Sequence, residues 1–255
     1  MTAWLVRIAW IAAVLSWPAS TLSAAEPLRV LSLNACYDDW LPQLLETKDT
    51  VIPSANHGNR LESIIRAQPD VIVHNNFISA VLLRALQRSA TDFGFRLVAV
   101  KHPQSWQEWQ EQGDAVGLAL QRETTVQRWF ALQQEQLTQA GKRLPRSVTI
   151  LMPNYYMWAA DSWVADLLAQ VNVELVTPIQ TGQLGQVGLA SLLRLNTEHL
   201  VLEGFSEHYA RGQDWMHHRA LRQWSSERQT SSIAGDIAGC PATRAIHYLE
   251  AMQSD

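Results

Sequence analysis

The feature that most constrains the fold of this chain is an alternation of short apolar runs with helical patterns, which occurs twice. In the first half, apolar runs occupy residues 28–33, 51–52, 70–73 and 95–100, with helical patterns near 40–45, 61–68 and 79–91 between them. In the second half, apolar runs occupy residues 148–152, 174–177, 199–202 and 230–233, and a final helical pattern covers 241–252. This alternation predicts the α/β class, with parallel sheets covered by helices on both faces.

A span without strands separates the two alternations. Ser105 and Glu108 stand three residues apart at its start, which is the spacing of a helix-capping box. A second helical pattern follows at residues 123–140, so the span is too long for an ordinary crossover. We therefore predict two parallel-sheet lobes with a ligand cleft between them, at residues 26–103 and 146–255, joined by a long helical linker at 104–145.

The two halves also resemble each other in sequence. LESIIRAQPDVIVHN at residues 61–75 aligns with LASLLRLNTEHLVLE at 189–203, at a constant offset of 128 residues. Four identities in fifteen positions are weak by themselves, but the same helix-turn-strand pattern recurs in each segment. The repeat is consistent with an internal duplication.

The first 25 residues are typical of a secretory signal peptide. Arg7 precedes an apolar stretch at residues 8–17, and the small residues Ser23 and Ala25 fit a cleavage site after Ala25. The alternative is an uncleaved membrane anchor, although the apolar stretch is shorter than the roughly 20 residues that span a bilayer. We expect a soluble, monomeric protein exported to the periplasm, an oxidising compartment.

Composition and motifs exclude several functions. The formal net charge is −4 and no run of Lys or Arg occurs, so a nucleic acid is not expected as a partner. Hydrophobic residues make up 47% of the chain, which is enough for a sizeable core. The sequence contains no GxSxG, P-loop or GxGxxG motif, so we do not expect an enzyme.

Several segments together resemble one known family. These are the signal peptide, RVLSLNACYDDWL at residues 29–41, LESIIRAQPDVIVHN, the helical linker and the terminal AGCPATRAIHYLEAM at 238–252. In order and spacing they are similar to the class III periplasmic substrate-binding proteins of ABC importers, which include ferric-siderophore, haem and vitamin B12 (cobalamin) carriers. The resemblance implies a protein without an intrinsic cofactor, which holds a metal chelate in a cleft between two lobes and delivers it to an inner-membrane ABC permease.

Ligands of open parallel sheets bind beyond the carboxyl ends of the strands. Flat aromatic side chains there could stack on a planar chelate, although MPNYYMW at residues 152–158 could instead be core, and Trp215 could be buried at the start of a helix. The candidate ligand-binding residues are Tyr37, His57, His74, Asn75, Phe77, Tyr155, Tyr156, Trp158, Phe205 and Trp215.

Histidines at the strand ends suggest a second function. His57, His74 and His102 could converge from separate loops to bind a metal ion directly, or they could be ordinary polar loop residues. A less favoured hypothesis is a periplasmic metal-dependent hydrolase that uses these histidines with Glu203 as base.

Two further hypotheses concern cysteines and acids. The even count of two cysteines in an oxidising compartment suggests a Cys36–Cys240 disulfide, with two buried free thiols as the alternative. The resemblance places both near the cleft, where a bond would tether the lobes. It also implies acidic residues on each lobe that meet a basic permease surface, for which Glu62, Glu203 and Glu207 are candidates unless they are ordinary surface glutamates.

Overall fold

A computed structural model describes residues 26–205 and 217–253 of the chain. The predicted signal peptide at 1–25, Glu207 and Trp215 lie outside these ranges. In the part that is described, no helix is both long enough and apolar enough to cross a membrane.

The N-terminal lobe is built on a four-stranded sheet in which all neighbouring strands are parallel. Its elements in chain order are β1 (Arg29–Ser32), α1 (Ala35–Asp38), α2 (Leu41–Leu44), β2 (Thr50–Ile52), α3 (Leu61–Arg66), β3 (Val71–Asn75), α4 (Ala80–Phe93) and β4 (Arg96–Val100). The strand order is β2-β1-β3-β4. β3 is central and buried over four residues, which explains its continuous apolar sequence.

Two helices, α5 (Trp106–Leu120) and α6 (Glu123–Gly141), form the predicted strand-free span. Ser105 caps α5, since its hydroxyl accepts a hydrogen bond from the Glu108 amide at 3.1 Å. Gly113 lets the two helices approach closely, because a Cβ there would lie 2.0 Å from Cε2 of Phe130. The antiparallel pair packs around Phe130, whose ring contacts Trp109 and Trp129 edge to face. The ring of Trp40 packs against both tryptophans, edge to face on Trp129 and tilted on Trp109.

The C-terminal lobe repeats the topology of the first. Its elements are β5 (Ser147–Leu151), β6 (Tyr156–Trp158), α7 (Trp163–Gln170), β7 (Glu174–Leu175), β8 (Leu184–Gln186), α8 (Leu189–Leu192), β9 (His199–Glu203), α9 (Arg219–Ser226), β10 (Gln229–Ile233), α10 (Gly235–Ala238) and α11 (Ala245–Glu250). The order β7-β5-β9-β10 matches β2-β1-β3-β4, and β9 lies at the 128-residue offset from β3 that the sequence repeat predicts.

Two local predictions need correction. The last helix was expected at residues 241–252, but two short helices, α10 and α11, stand on either side of residues 239–244. The segment 156–158 was not recognised as a strand, yet β6 pairs antiparallel with β8, a partner about 28 residues away. The predicted α/β class with two parallel sheets is confirmed.

Candidate functional site

A cavity lies where the carboxyl ends of β1, β3 and β4 face the segment between α10 and α11. We call it the cleft cavity; it holds about 670 Å³ of space, part of it open to solvent. Its lining comprises Asn34, Cys36, Tyr37, Asn75, Asn76, Phe77, Lys101, His102, Pro103, Trp109, Gly239, Cys240, Pro241, Ala242 and Thr243. Both halves of the chain therefore contribute to its wall.

A disulfide joins the two halves at this wall. Cys36, in α1, is bonded to Cys240, in the segment between α10 and α11, and their Cα atoms are 5.4 Å apart. Beside the bond, Arg244 contacts Asp39 of the N-terminal half at 2.5 Å and Asp236 of the C-terminal half at 2.8 Å. The covalent bond and the Arg244–Asp39 ion pair fasten the lobes together on one side of the cleft cavity.

Phe77 is the dominant apolar group at the mouth of the cavity. Its side chain is 78% exposed, although it follows the buried strand β3 directly. The loop that carries it is fixed, because Oδ1 of Asn75 accepts a hydrogen bond from the Phe77 amide at 3.0 Å. An exposed phenyl ring on a fixed turn is a platform for stacking.

A second concavity, which we call the side cavity, adjoins the first at Phe77 and holds about 970 Å³ of space, part of it open to solvent. It is bounded by Leu33, Asn34, Ala35, Ser54, Ala55, Asn59, Asn75, Phe77, Ile78, Ser79 and Leu82. Three residues, Asn34, Asn75 and Phe77, line both cavities and so lie where the two meet.

Polar groups of the cleft cavity come from three strand ends. After β1, Oδ1 of Asn34 accepts a hydrogen bond from the Cys36 amide at 2.8 Å and so begins α1. After β4, Lys101 is exposed, and burial lowers the pKa of His102 against opposing contributions from Gln183 and Glu108. His102 is therefore neutral near pH 7. No Asp or Glu lines this cavity in the described part of the chain.

Tyr37 forms part of the cavity wall but is largely buried. Its hydroxyl donates to the carbonyl of Val100 at 3.1 Å, and burial raises its pKa well above the usual value for tyrosine. The phenol therefore stays protonated and would contact a ligand as a neutral group.

Two predicted ligand residues, His57 and His74, are structural instead. His57 is 2% exposed; its Nδ1 accepts a hydrogen bond from the Asn59 amide, so its Nε2 donates to the carbonyl of Ser32. His74 is 6% exposed and its Nδ1 bonds the carbonyl of Asn75. The proposed metal set His57, His74 and His102 is wrong, since nowhere within residues 26–205 and 217–253 do three His, Cys, Asp or Glu side chains form a group suited to a metal ion.

Glu203 and Trp158 are likewise buried and not on the surface. Glu203 is 3% exposed and accepts hydrogen bonds from Nε1 of Trp158 at 2.7 Å and from the hydroxyl of Tyr248 at 2.5 Å. Burial raises its pKa to about 7, against the lowering effect of the two donors. The predictions that Glu203 docks a permease or serves as an exposed base, and that Trp158 lines the cleft, are therefore wrong.

The other predicted residues are dispersed. Tyr155 packs against a core cluster of the C-terminal lobe, Tyr156 is exposed, and Phe205 is half-buried, and none of the three lines either cavity. Glu62 is exposed in the first turn of α3 and remains a docking candidate. Glu207 and Trp215 lie outside the described residues.

Sequence reasoning missed Lys101 and, apart from Cys240, the segment 239–243 as parts of the site. Lys101 could have been found, because it is the first residue after β4 and so stands at the same edge of the sheet as Asn75. The residues beside Cys240 gave no such signal, since they reach the cavity only through the fold and the disulfide.

The family follows from the sequence itself: residues 32–222 match the periplasmic binding protein family. The chain belongs to that family. The match runs from the last residue of β1 through β2, β3 and β4, both linker helices and all the strands of the C-terminal lobe except β10. No curated protein sequence matches the chain significantly.

Solved structures share the fold at low sequence identity. The siderophore-binding protein FhuD of Vibrio cholerae, bound to Fe³⁺–Desferal, has a TM-score of 0.62 at 13% identity, covering 89% of this chain and 98% of that one. The triscatecholate siderophore-binding protein FeuA of Bacillus subtilis, with ferri-bacillibactin, has 0.61 at 13%, covering 88% and 90%. A periplasmic haem-binding protein of Pseudomonas aeruginosa has 0.58 at 10%, covering 90% and 93%.

Proposed function

We propose that this protein captures a ferric siderophore or a related metal chelate, such as haem or cobalamin, in the periplasm and delivers it to an ABC permease. The observation that carries the proposal is the cleft cavity, which lies beyond the carboxyl ends of three parallel strands and is closed by the other half of the chain. This is where open α/β sheets bind small molecules.

The lining supports a chelate over a bare metal ion. A bare divalent ion needs several converging nitrogen, sulfur or carboxylate ligands. Here the cavity offers the neutral His102 together with amides, a lysine and an exposed phenyl ring. These groups suit the organic shell of a chelate. The solved structures of similar fold include proteins bound to ferric siderophores, which favours the same class of ligand.

The same geometry argues for binding rather than catalysis. A hydrolase would need a base within reach of a metal or a bound water. Glu203, the residue considered for that role, is enclosed between Trp158 and Tyr248. We therefore propose a non-enzymatic carrier that works as a monomer.

A thermal-shift panel tests the proposal. Ferric siderophores, haemin, cyanocobalamin and free divalent metals are each added to the purified protein, because a ligand that binds only the folded state raises the melting temperature. We expect a rise with at least one chelate and none with free metals. A response to free metals alone would favour direct metal binding, and no response to any chelate would contradict the proposed function.

Delivery to a permease is tested separately on Glu62, which is exposed on the N-terminal lobe. Glu62→Lys should lower cellular uptake, and weaken binding to the permease most at low salt, without changing affinity for the free chelate. Glu174→Lys is the matched control, since Glu174 is an exposed acid at the start of β7, the opposite end of a sheet from the cleft. Equal uptake by both variants would mean that docking uses other residues.

A further inference from the structure

The cleft cavity and the side cavity meet at two asparagines whose amide groups have a defined orientation. In Asn34, Oδ1 accepts the backbone N–H of Cys36, and in Asn75, Oδ1 accepts the backbone N–H of Phe77. A backbone N–H can bond only to the oxygen of a carboxamide. In both residues, the nitrogen Nδ2, a donor of two hydrogen bonds, is therefore the atom left for a ligand.

The charge at the site, like the oriented amide groups, favours a ligand that accepts hydrogen bonds. Lys101 brings a full positive charge to the cleft cavity, and His102 beside it is neutral because burial lowers its pKa. Within the described residues, no Asp or Glu lines either cavity. The Nδ2 atoms of Asn34 and Asn75 and the ammonium of Lys101 are thus donors, and at these three positions a cationic or donor-rich ligand would find no partner.

The apolar contribution is aromatic. Phe77 stands between the two cavities with most of its ring exposed, and the bond from its amide to Asn75 fixes the turn that presents it. A ring in this position can stack on a flat group in either cavity. A ligand with more than one flat arm could place one on each side.

We infer that the ligand is an anionic chelate rich in acceptor oxygens and carrying flat aromatic groups, recognised by Nδ2 of Asn34 and Asn75, the ammonium of Lys101 and the ring of Phe77. This inference rests on the proposed function and narrows its ligand class. Ferric catecholates and haem both have this chemistry. Cationic hydroxamate chelates lack the charge and the aromatic groups, and cobalamin lacks the net negative charge.

The first experiment compares ligands. Binding of a ferric tris-catecholate, haemin, Fe³⁺–Desferal and cyanocobalamin is measured by quenching of tryptophan fluorescence. We expect the tris-catecholate or haemin to bind at least about 100-fold more tightly than the other two, a difference expected from complementary against opposing charges. Comparing the affinities for the tris-catecholate and for haemin also shows which of these two chelates the protein prefers.

The second experiment changes the donors alone. Asn34→Asp and Asn75→Asp keep the oxygen that accepts the backbone N–H, so the turns stay capped, but each replaces the Nδ2 donor by a carboxylate oxygen. Each variant should lose about 100-fold in affinity for the preferred anionic chelate, and Lys101→Gln about tenfold. Asn172→Asp, an equal change of charge on an exposed residue before β7, should leave the affinity unchanged.

The outcomes separate this inference from the proposed function. If Fe³⁺–Desferal or cyanocobalamin binds as tightly as the anionic chelates, or if the Asn34 and Asn75 variants bind like Asn172→Asp, the ligand class is wrong although the protein is still a chelate carrier. If none of the four chelates binds, the proposed function itself fails.

Discussion

The indole nitrogen of Trp158 donates a hydrogen bond to the carboxyl group of Glu203 across 2.7 Å. The two residues belong to different strands of the C-terminal lobe, and Tyr248 of α11 donates to the same oxygen from the other side. Glu203 is at the end of β9, the position that Asn75 occupies in the repeated N-terminal sheet. The equivalent strand ends therefore have different roles: Asn75 of the N-terminal lobe lines the cavity, whereas Glu203 of the C-terminal lobe is buried in the core.

Glu203 should make the stability of the protein depend on pH. Its pKa is raised from 4.5 to about 7 by burial, so the folded state binds more protons than the unfolded state between these values. The contribution of Glu203 to stability is therefore full below about pH 4.5 and is lost as pH rises through 7, by about 3 kcal/mol in all. Denaturant unfolding at a series of pH values measures it.

Glu203→Gln is the matched variant for this prediction, because its Oε1 can accept both hydrogen bonds without carrying a charge. The free energy of unfolding of the variant minus that of the wild type should rise by about 3 kcal/mol from pH 4.5 to pH 8. Parallel pH profiles of the two proteins would show that the carboxyl group does not titrate in this range.

The disulfide should stabilise the whole molecule. Cys36 and Cys240 are 204 residues apart, and on the loop-entropy model a bond that closes so long a loop contributes about 5 kcal/mol. The double variant Cys36→Ser/Cys240→Ser should lose that amount in denaturant unfolding. Arg244→Gln, which removes only the neighbouring ion pairs with exposed acids, should lose about 1 kcal/mol or less. Equal losses for the two would contradict the role of the bond, as would two titratable thiols in the exported protein.

Gly113 should tolerate no larger side chain. Gly113→Ala places a Cβ 2.0 Å from Cε2 of the buried Phe130 ring, so that ring or the two helices must shift. We expect a loss of about 1 to 3 kcal/mol or more in the free energy of unfolding. The double variant with Phe130→Leu should recover part of it. Gly235→Ala is the control: its Cβ meets no atom within 4 Å, and its stability should not fall by more than about 0.5 kcal/mol.

Asp49 should be essential for attaching the linker to the N-terminal lobe. Its carboxylate accepts hydrogen bonds from Nε and Nη2 of Arg122 at 2.9 and 2.8 Å and from the amides of Leu28 and Glu46. Asp49→Asn removes the nearer counter-charge of the buried guanidinium of Arg122 and leaves only Glu46, which is half exposed and 3.6 Å away, at a cost of about 3 kcal/mol. Calorimetric unfolding measures this cost; a loss below 1 kcal/mol would mean that the charge is compensated elsewhere.

Local patterns predicted the elements well but located the site only in part. Phe77 and Asn75 were found because the apolar run of β3 ends just before them and fixes their place at the sheet edge. His57 was misjudged because its partner, the carbonyl of Ser32, comes from a neighbouring strand. Glu203 was misjudged because Tyr248, 45 residues further along the chain, covers it. Burial by distant segments leaves no local trace in a sequence.

The prediction that the aromatic segment 152–158 forms a binding loop failed for a related reason. β6 forms only because residues 184–186 return to pair with it, and this pairing turns Trp158 inward while Tyr156 stays exposed. Three aromatic residues within four positions suggested a binding loop, but Met157 and Trp158 of β6 are buried and the indole of Trp158 is hydrogen-bonded to Glu203.

The position of the two cysteines also constrains how the molecule can be made. A chain that enters an oxidising compartment N-terminus first exposes Cys36 early, and Cys240 follows only after 204 further positions. In that interval both sheets and the linker can form, whereas α11, which covers Glu203, comes after Cys240. The correct bond is thus among the last long-range links available to the chain, and an oxidant that acts too early would find Cys36 without its partner. In a chain exported in this way, formation of the Cys36–Cys240 bond would report that almost the whole chain has been translocated.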